Sequence, residues 1–172
     1  MPGSNLDVPV PCVKRFLILA CVIAIAGCAS TPISKQDDSP VDAKSQSYPA
    51  IRDDLVRYAW RALGTPYAWG GADPSGFDCS GLVYYVYNKA GLQVPRTTEE
   101  QLAMSTSMDV QQLKPGDLVF FDTGFWQTHV GIYLGHGEFI HASGSGEAVT
   151  LSSLNNAYWR ETLIKGGSFL HD

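Results

Sequence analysis

The stretch that most constrains this chain is Phe77-Asp78-Cys79-Ser80-Gly81-Leu82-Val83-Tyr84-Tyr85-Val86. A breaker-rich loop, Gly70-Gly71-Ala72-Asp73-Pro74-Ser75-Gly76, leads into it, and Asn88-Lys89-Ala90-Gly91 closes it. Asp78 has the chemistry of a helix N-cap and Gly91 that of a stop, with Lys89 as a last-turn cation. The spacing predicts a mostly buried helix with Cys79 in its first turn. A helix start carries unpaired N–H groups and the positive end of the macrodipole. Both favour a thiolate over a thiol, and the thiolate is the nucleophile. The competing reading is a small buried hydrophobe, the commoner fate of a free cysteine.

The N-terminus bears on that choice, because Cys12, Cys21 and Cys28 all precede residue 30 and Cys79 stands apart. Lys14-Arg15 are followed by an apolar run from Phe16 to Ala26, then Gly27-Cys28. A basic pair, a short apolar run and a small-residue end read as an export signal, too short for a comfortable membrane span. Ile25-Ala26-Gly27-Cys28 resembles a bacterial lipobox, where the chain is cut before a cysteine that then carries lipid. Leu19-Ala20-Cys21 is a second candidate with a shorter apolar run. Residues 1–13 form a long lead before the basic pair. Cleavage before Cys28 makes 1–27 a signal peptide and leaves Cys79 as the one free thiol of an exported chain. Such a cysteine has no intrachain partner and is flagged as reactive. Ala29 rather than aspartate follows, which resembles the outer-membrane class of Gram-negative lipoproteins facing the periplasm.

Residues 28–50 are rich in Ser, Thr, Pro, Asp, Lys and Gln and read as a lipidated cysteine with a flexible tether. The head then runs over 51–172. Hydrophobic residues make up 45% of the chain and charged residues 17%, which suits a packed, monomeric head. With a net charge of −5 and no basic cluster beyond Lys14-Arg15, the chain has no electrostatic footprint for nucleic acid.

Within the head, Ile51, Leu55, Val56, Ala59, Ala62 and Leu63 keep helical spacing until Gly64. Thr65 to Gly71 is extended and aromatic. After the Cys79 helix, Thr97 or Thr98 caps a short helix, with Glu100 and Gln101 placed as capping-box partners. From Val110 the period changes. Leu118–Phe121, His129–Leu134, Glu138–Ala142, Ala148–Leu151 and Thr162–Lys165 read as strands. Helices first and strands later predict an α+β domain with an antiparallel sheet.

A thiol enzyme needs a base for its proton and a group that orients the base. His129 and His141 lie on consecutive strands, and they meet only if they share a face. A two-residue turn pairing Gly135 with Glu138 sets His141 opposite Ile132, on the wrong face. A three-residue loop pairing Leu134 with Glu138 sets it opposite Gly131, as a diagonal neighbour of His129 at roughly 7–8 Å between Cβ atoms. Such loops end in a left-handed glycine, and Gly137 fits. His136 and His171 read as solvated. Asp78, Cys79, His129 and His141 could in principle hold a metal, but no pair among them has the short spacing of zinc sites.

Asp78-Cys79-Ser80-Gly81-Leu82-Val83, Pro115-Gly116-Asp117-Leu118-Val119-Phe120-Phe121, His129-Val130-Gly131-Ile132-Tyr133 and His141-Ala142 resemble, in order, the motifs of the NlpC/P60 family of cell-wall peptidases. Gly64-Thr65-Pro66-Tyr67-Ala68-Trp69-Gly70-Gly71 and Pro95-Arg96-Thr97-Thr98 fit the same pattern. The resemblance implies a papain-like α+β fold and a cysteine endopeptidase of peptidoglycan stem peptides or cross-links, without cofactor or metal. It implies Cys79 as nucleophile, His129 as general base and acid, and His141 as the group orienting His129. Tyr67 matches a tyrosine beside the nucleophile, and Asp78 and Ser80 match positions that contact a substrate's amino end. Arg96 reads as a partner for a substrate carboxylate or, more simply, as one half of a structural ion pair. The remaining alternatives are a non-catalytic wall-binding lipoprotein and another thiol chemistry, amide or acyl transfer, on the same fold.

Overall fold

Helix α1 (Tyr48–Arg61) begins with proline in its first turn, where a fixed φ and a missing N–H suit initiation. The computed structural model describes residues 47–124, 128–145 and 147–171. The signal-peptide and lipid-anchor expectations, with Cys28 and Cys21, lie outside the described residues. The helix starts three residues ahead of the expected Ile51 boundary, so the segment read as the end of the tether is already helical. Leu55 and Ala59 bury its inner face, and Gly64, at φ +80°, turns the chain away.

A two-strand ribbon, β1 (Ala72–Asp73) and β2 (Gly76–Phe77), delivers the chain to helix α2 (Cys79–Lys89). Asp78 caps α2 as expected, accepting from the Gly81 N–H at 2.6 Å. Leu82, Val83, Val86 and Tyr87 are fully buried along it, each contributing about 1.5–3 kcal/mol by leaving water. Gly81 has no alternative: an added Cβ would lie 2.0 Å from the Gly71 carbonyl oxygen. Helix α3 (Thr98–Met104) is capped by Thr97, whose hydroxyl accepts the Glu100 N–H at 3.3 Å and donates to the Glu100 carboxylate at 2.9 Å.

The sheet follows, with β3 (Thr106–Met108), β4 (Leu118–Asp122), β5 (Thr128–Gly135), β6 (Glu138–Ser143), β7 (Ala148–Ser153) and β8 (Leu163–Ser168). These six strands run in the order β3-β8-β4-β5-β6-β7, all antiparallel. The architecture is the α+β, papain-like arrangement, with the helix that carries Cys79 packed on an antiparallel sheet. Both faces are covered, which explains why β4 is an unbroken apolar run. Leu118 and Phe120 join Val130, Ile132, Ile140 and Ala142 against α1 and α2, whereas Val119 and Phe121 join Tyr133 and Phe139 in a second cluster beneath Trp159. Arg52 of α1 is tied into this frame by a buried ion pair with Asp117 at 3.1 Å, and Ser168 of β8 donates to the same carboxylate.

Helix α4 (Ala157–Thr162), the strand β3, the ribbon β1–β2 and the short 3-10 turn Val110–Gln112 were not expected from the sequence. The β5–β6 hairpin differs in detail from expectation. Its tip is a two-residue turn, His136 (φ +54°) and Gly137 (φ +79°), with Gly135 paired to Glu138. A bulge between Tyr133 and Gly135 then restores the Tyr133–Phe139 and Ile132–Ile140 register that the three-residue loop was expected to give. Gly135, at φ +103°, absorbs the extra residue, a conformation open to glycine.

Ahead of β1, the segment Gly64–Tyr67 runs along β7. Gly64 N–H donates to the Val149 carbonyl at 2.9 Å, Val149 N–H to Thr65 at 2.8 Å, and Tyr67 N–H to Glu147 at 2.8 Å.

Candidate active site

A cleft of about 670 Å³ opens where α2 begins, and Tyr67, Cys79, Arg96, His129, His141 and Trp159 all line it. Cys79 is partly buried and is the free cysteine among the described residues. Its Sγ lies 3.5 Å from Thr98 Oγ1, and the backbone N–H groups of Val130 and Ser80 are directed at it. The helix therefore presents the sulfur to strand β5 at Val130, the residue after His129, and both Cys79 and His129 line the cleft.

The restored hairpin register places both imidazoles on the Phe139 face of the sheet. His129 Nε2 is 2.9 Å from His141 Nδ1, and His141 Nε2 is 3.0 Å from Ser152 Oγ. With Nε2 engaged, Nδ1 is the nitrogen of His129 left for another partner. Trp159 lies against both rings, stacked on His129 at 5.7 Å between centroids and edge-on to His141 at 4.8 Å. Gly131 leaves room for this packing, since a Cβ there would meet the Phe139 ring at 2.6 Å.

Burial sets the electrostatics. It lowers His129 to about 4, and burial together with the neighbouring His129 lowers His141 to about 3. Both rings are neutral at pH 7. Cys79 departs from the sequence expectation. Burial pushes its thiol above the ordinary range, and the Asp78 charge adds to this. The Thr98 hydroxyl and the Val130 and Ser80 N–H groups pull the other way without overcoming it. The helix start alone does not make a thiolate here, because the sulfur is desolvated at the same position.

Asp78 is saturated. Arg96 grips both of its oxygens, at 2.7 and 3.0 Å, and the Gly70 and Gly81 N–H groups add to the same carboxylate. Burial alone would raise this carboxyl; the Arg96 hydrogen bonds, with the Gly81 N–H and the Arg96 charge, outweigh it and hold the group below the usual range. Ser80 Oγ accepts from Arg96 at 3.0 Å and donates to Asp78 at 3.2 Å. Arg96 is thus the structural half-pair of the two sequence readings, and it braces the helix that carries Cys79. Tyr67 lines the same cleft; burial first, then Cys79 and Asp78, raise its hydroxyl. His136 and His171 are exposed and are not among the residues that line the described cleft.

Thr98, Ser152 and Trp159 were not singled out by the sequence as site residues. Ser152 had a signal: Thr150 pairs with His141 across β6 and β7, and Ser152 is the next residue on that face. Trp159 had none, because it sits on the unexpected helix α4.

Comparison with known proteins gives the family of this fold. The chain is 41% identical over 155 residues to "Probable endopeptidase NlpC" of Escherichia coli strain K12, covering 86% of this chain and 94% of that protein. It is 45% identical over 120 residues to "Gamma-DL-glutamyl hydrolase" of Bacillus subtilis strain 168, covering 67% and 29%. It is 44% identical over 113 residues to "Probable endopeptidase p60" of Listeria innocua, covering 66% of this chain and 24% of that protein. The chain thus spans about a quarter of the length of the Listeria relative. The solved NlpC/p60 domain of the peptidoglycan hydrolase SagA superposes with a TM-score of 0.60 at 39% identity, covering 69% of this chain and 98% of that one. The NlpC/P60 family pattern matches residues 64–168, the span that holds Cys79, both imidazoles and the strands that carry them, and this chain belongs to the NlpC/P60 family.

Proposed function

We propose that this chain is a cysteine endopeptidase that hydrolyses peptide bonds of peptidoglycan, within stem peptides or at their cross-links. The observation that carries the proposal is the His129 Nε2–His141 Nδ1 hydrogen bond of 2.9 Å in the cleft that Cys79 lines. Cys79 is the nucleophile, His129 the base and acid, and His141 the group that orients His129. Thiol and imidazole meet uncharged. His129 Nδ1 takes the thiol proton as sulfur attacks the carbonyl carbon, and the Cys79 N–H at the helix start stabilises the oxyanion. The proton then passes to the departing amine, and water hydrolyses the thioester. Asp78 and Ser80 form the wall on which a substrate's amino end is held, with Tyr67 beside the nucleophile and Arg96 bracing Asp78 from behind. No cofactor enters the scheme.

The names of relatives, an endopeptidase, a gamma-DL-glutamyl hydrolase and a peptidoglycan hydrolase, support this substrate class. From the sequence we further infer export by residues 1–27, lipidation of Cys28 and attachment of the head by the 28–50 tether to the envelope, at the outer membrane if the cell is Gram-negative. The test is mass spectrometry of muropeptides released from purified peptidoglycan. A new free amine on diaminopimelate, lost in Cys79→Ala and after iodoacetamide treatment, is the expected result. Unchanged release by Cys79→Ala would leave a wall-binding protein, and transfer to an added acceptor would leave an acyltransferase. Radiolabelled palmitate that fails to enter the chain, or enters equally in Cys28→Ala, would remove the anchor.

A further inference from the structure

The hydrogen-bonded line does not stop at the two imidazoles. Ser152 Oγ, His141 and His129 are joined by contacts of 3.0 and 2.9 Å, and a neutral imidazole carries one proton. Neutral rings allow the line two directions. In the first, the Ser152 hydroxyl donates to His141 Nε2, His141 Nδ1–H donates to His129 Nε2, and the His129 proton resides on Nδ1. In the second, His129 Nε2–H donates to His141 Nδ1, His141 Nε2–H donates to Ser152 Oγ, and His129 Nδ1 keeps its lone pair. Only the second leaves a base facing the thiol.

We propose that Ser152 is a positioning residue of this site: its oxygen accepts the Nε2–H of buried His141 and so satisfies the one direction of the line that keeps Nδ1 of His129 open toward Cys79. The proposal rests on the peptidase reading above. His141 is 1% exposed, so an Nε2–H without an acceptor there would be a costly orphan. Ser152 is half-buried, so its own hydrogen can turn to solvent while its oxygen accepts. A carboxylate in its place would attract a proton onto His141; a hydroxyl orients the ring without holding charge. During attack the S–H bond breaks, an N–H bond forms at His129 Nδ1, and the sulfur electron pair goes to the carbonyl carbon. The protons on His129 Nε2 and His141 Nε2 stay in place. No proton travels to Ser152.

The test compares Ser152→Thr with Ser152→Val in the full chain, since the two side chains share a shape and differ by the hydroxyl. Side-chain nitrogen NMR of 15N-histidine protein reads the tautomers, and hydrolysis of a stem peptide reads kcat and KM. Wild type and Ser152→Thr are expected to show His141 protonated at Nε2 alone. Ser152→Val is expected to show mixed His141 tautomers and a kcat about 5- to 10-fold lower, as for one lost hydrogen bond, with KM unchanged. A single Nε2–H tautomer in Ser152→Val, or equal kcat in the two variants, overturns the proposal. Inactive wild-type protein on every stem peptide would instead sink the peptidase reading, while the tautomer comparison would still decide the role of Ser152.

Discussion

Replacing Trp159 with alanine should move the acid limit of catalysis. The indole covers both imidazoles, and burial is what holds His129 at about 4 rather than the ordinary 6.5. Uncovering the ring admits water, stabilises the imidazolium and raises the pKa toward 6.5. In the proposed mechanism only the neutral ring accepts the thiol proton, so a higher pKa removes base at low pH. At pH 5 a ring titrating at about 4 is roughly nine-tenths neutral, while one at 6.5 is roughly 3% neutral, a ceiling of about 30-fold in rate. At pH 8 both are neutral and this effect vanishes. The assay is kcat/KM against pH on a stem peptide, which reports the free enzyme's base. Trp159→Phe keeps a ring in place and should retain the wild-type limb. The variant also loses packing against Phe121 and Phe139, so its fold is checked by thermal melting at each pH. A folded Trp159→Ala protein, active at pH 8, whose acid limb stays where the wild type's is would refute the argument that burial under Trp159 tunes the base.

Removing the His141 ring should cost more than removing the Ser152 hydroxyl: His141→Ala is expected to lower kcat about 10- to 100-fold, as for a hydrogen bond to a group that becomes charged, with partial recovery in His141→Gln. Stability should fall with acid. His129 and His141 titrate at about 4 and 3 when folded and near 6.5 when unfolded, so the unfolded chain binds more protons in between. Stability is therefore complete above about pH 6.5 and is lost as pH falls toward 3, by at most about 1.4 kcal/mol per pH unit for each ring; urea midpoints at several pH values measure it. Gly81→Ala should destabilise by about 3 kcal/mol or more, because the new methyl group meets the Gly71 carbonyl rather than a yielding side chain, and thermal melting reads the loss.

The sequence showed the parts of this site that depend on local chemistry. Asp78 as cap, Cys79 in the first turn, Thr97 with Glu100, and the shared face of His129 and His141 were all readable from spacing and turn residues. The hairpin register was correct although its loop was not, because a bulge and a tighter turn add up to the same offset as one longer loop. What stayed hidden depends on which distant segments meet. Trp159 reaches the imidazoles from a six-residue helix with no strong periodicity, and β3 pairs with β8 across about half of the domain. The direction of the Cys79 thiol was hidden for a related reason: the helix start is a local property, whereas the burial that raises the thiol depends on distant segments packing around the sulfur.

The strap from Gly64 to Tyr67 has a bearing on how a ligand can be read. Its backbone already occupies the β7 groups of residues 147 and 149, at the end of the sheet that adjoins the cleft. An incoming peptide finds no free ladder there to extend, so strand addition is closed to it at that rim. Selectivity must come from side chains and from the shape of the slot. Under the peptidase proposal this suits a stem peptide whose γ-linked backbone could not have continued a regular sheet in any case.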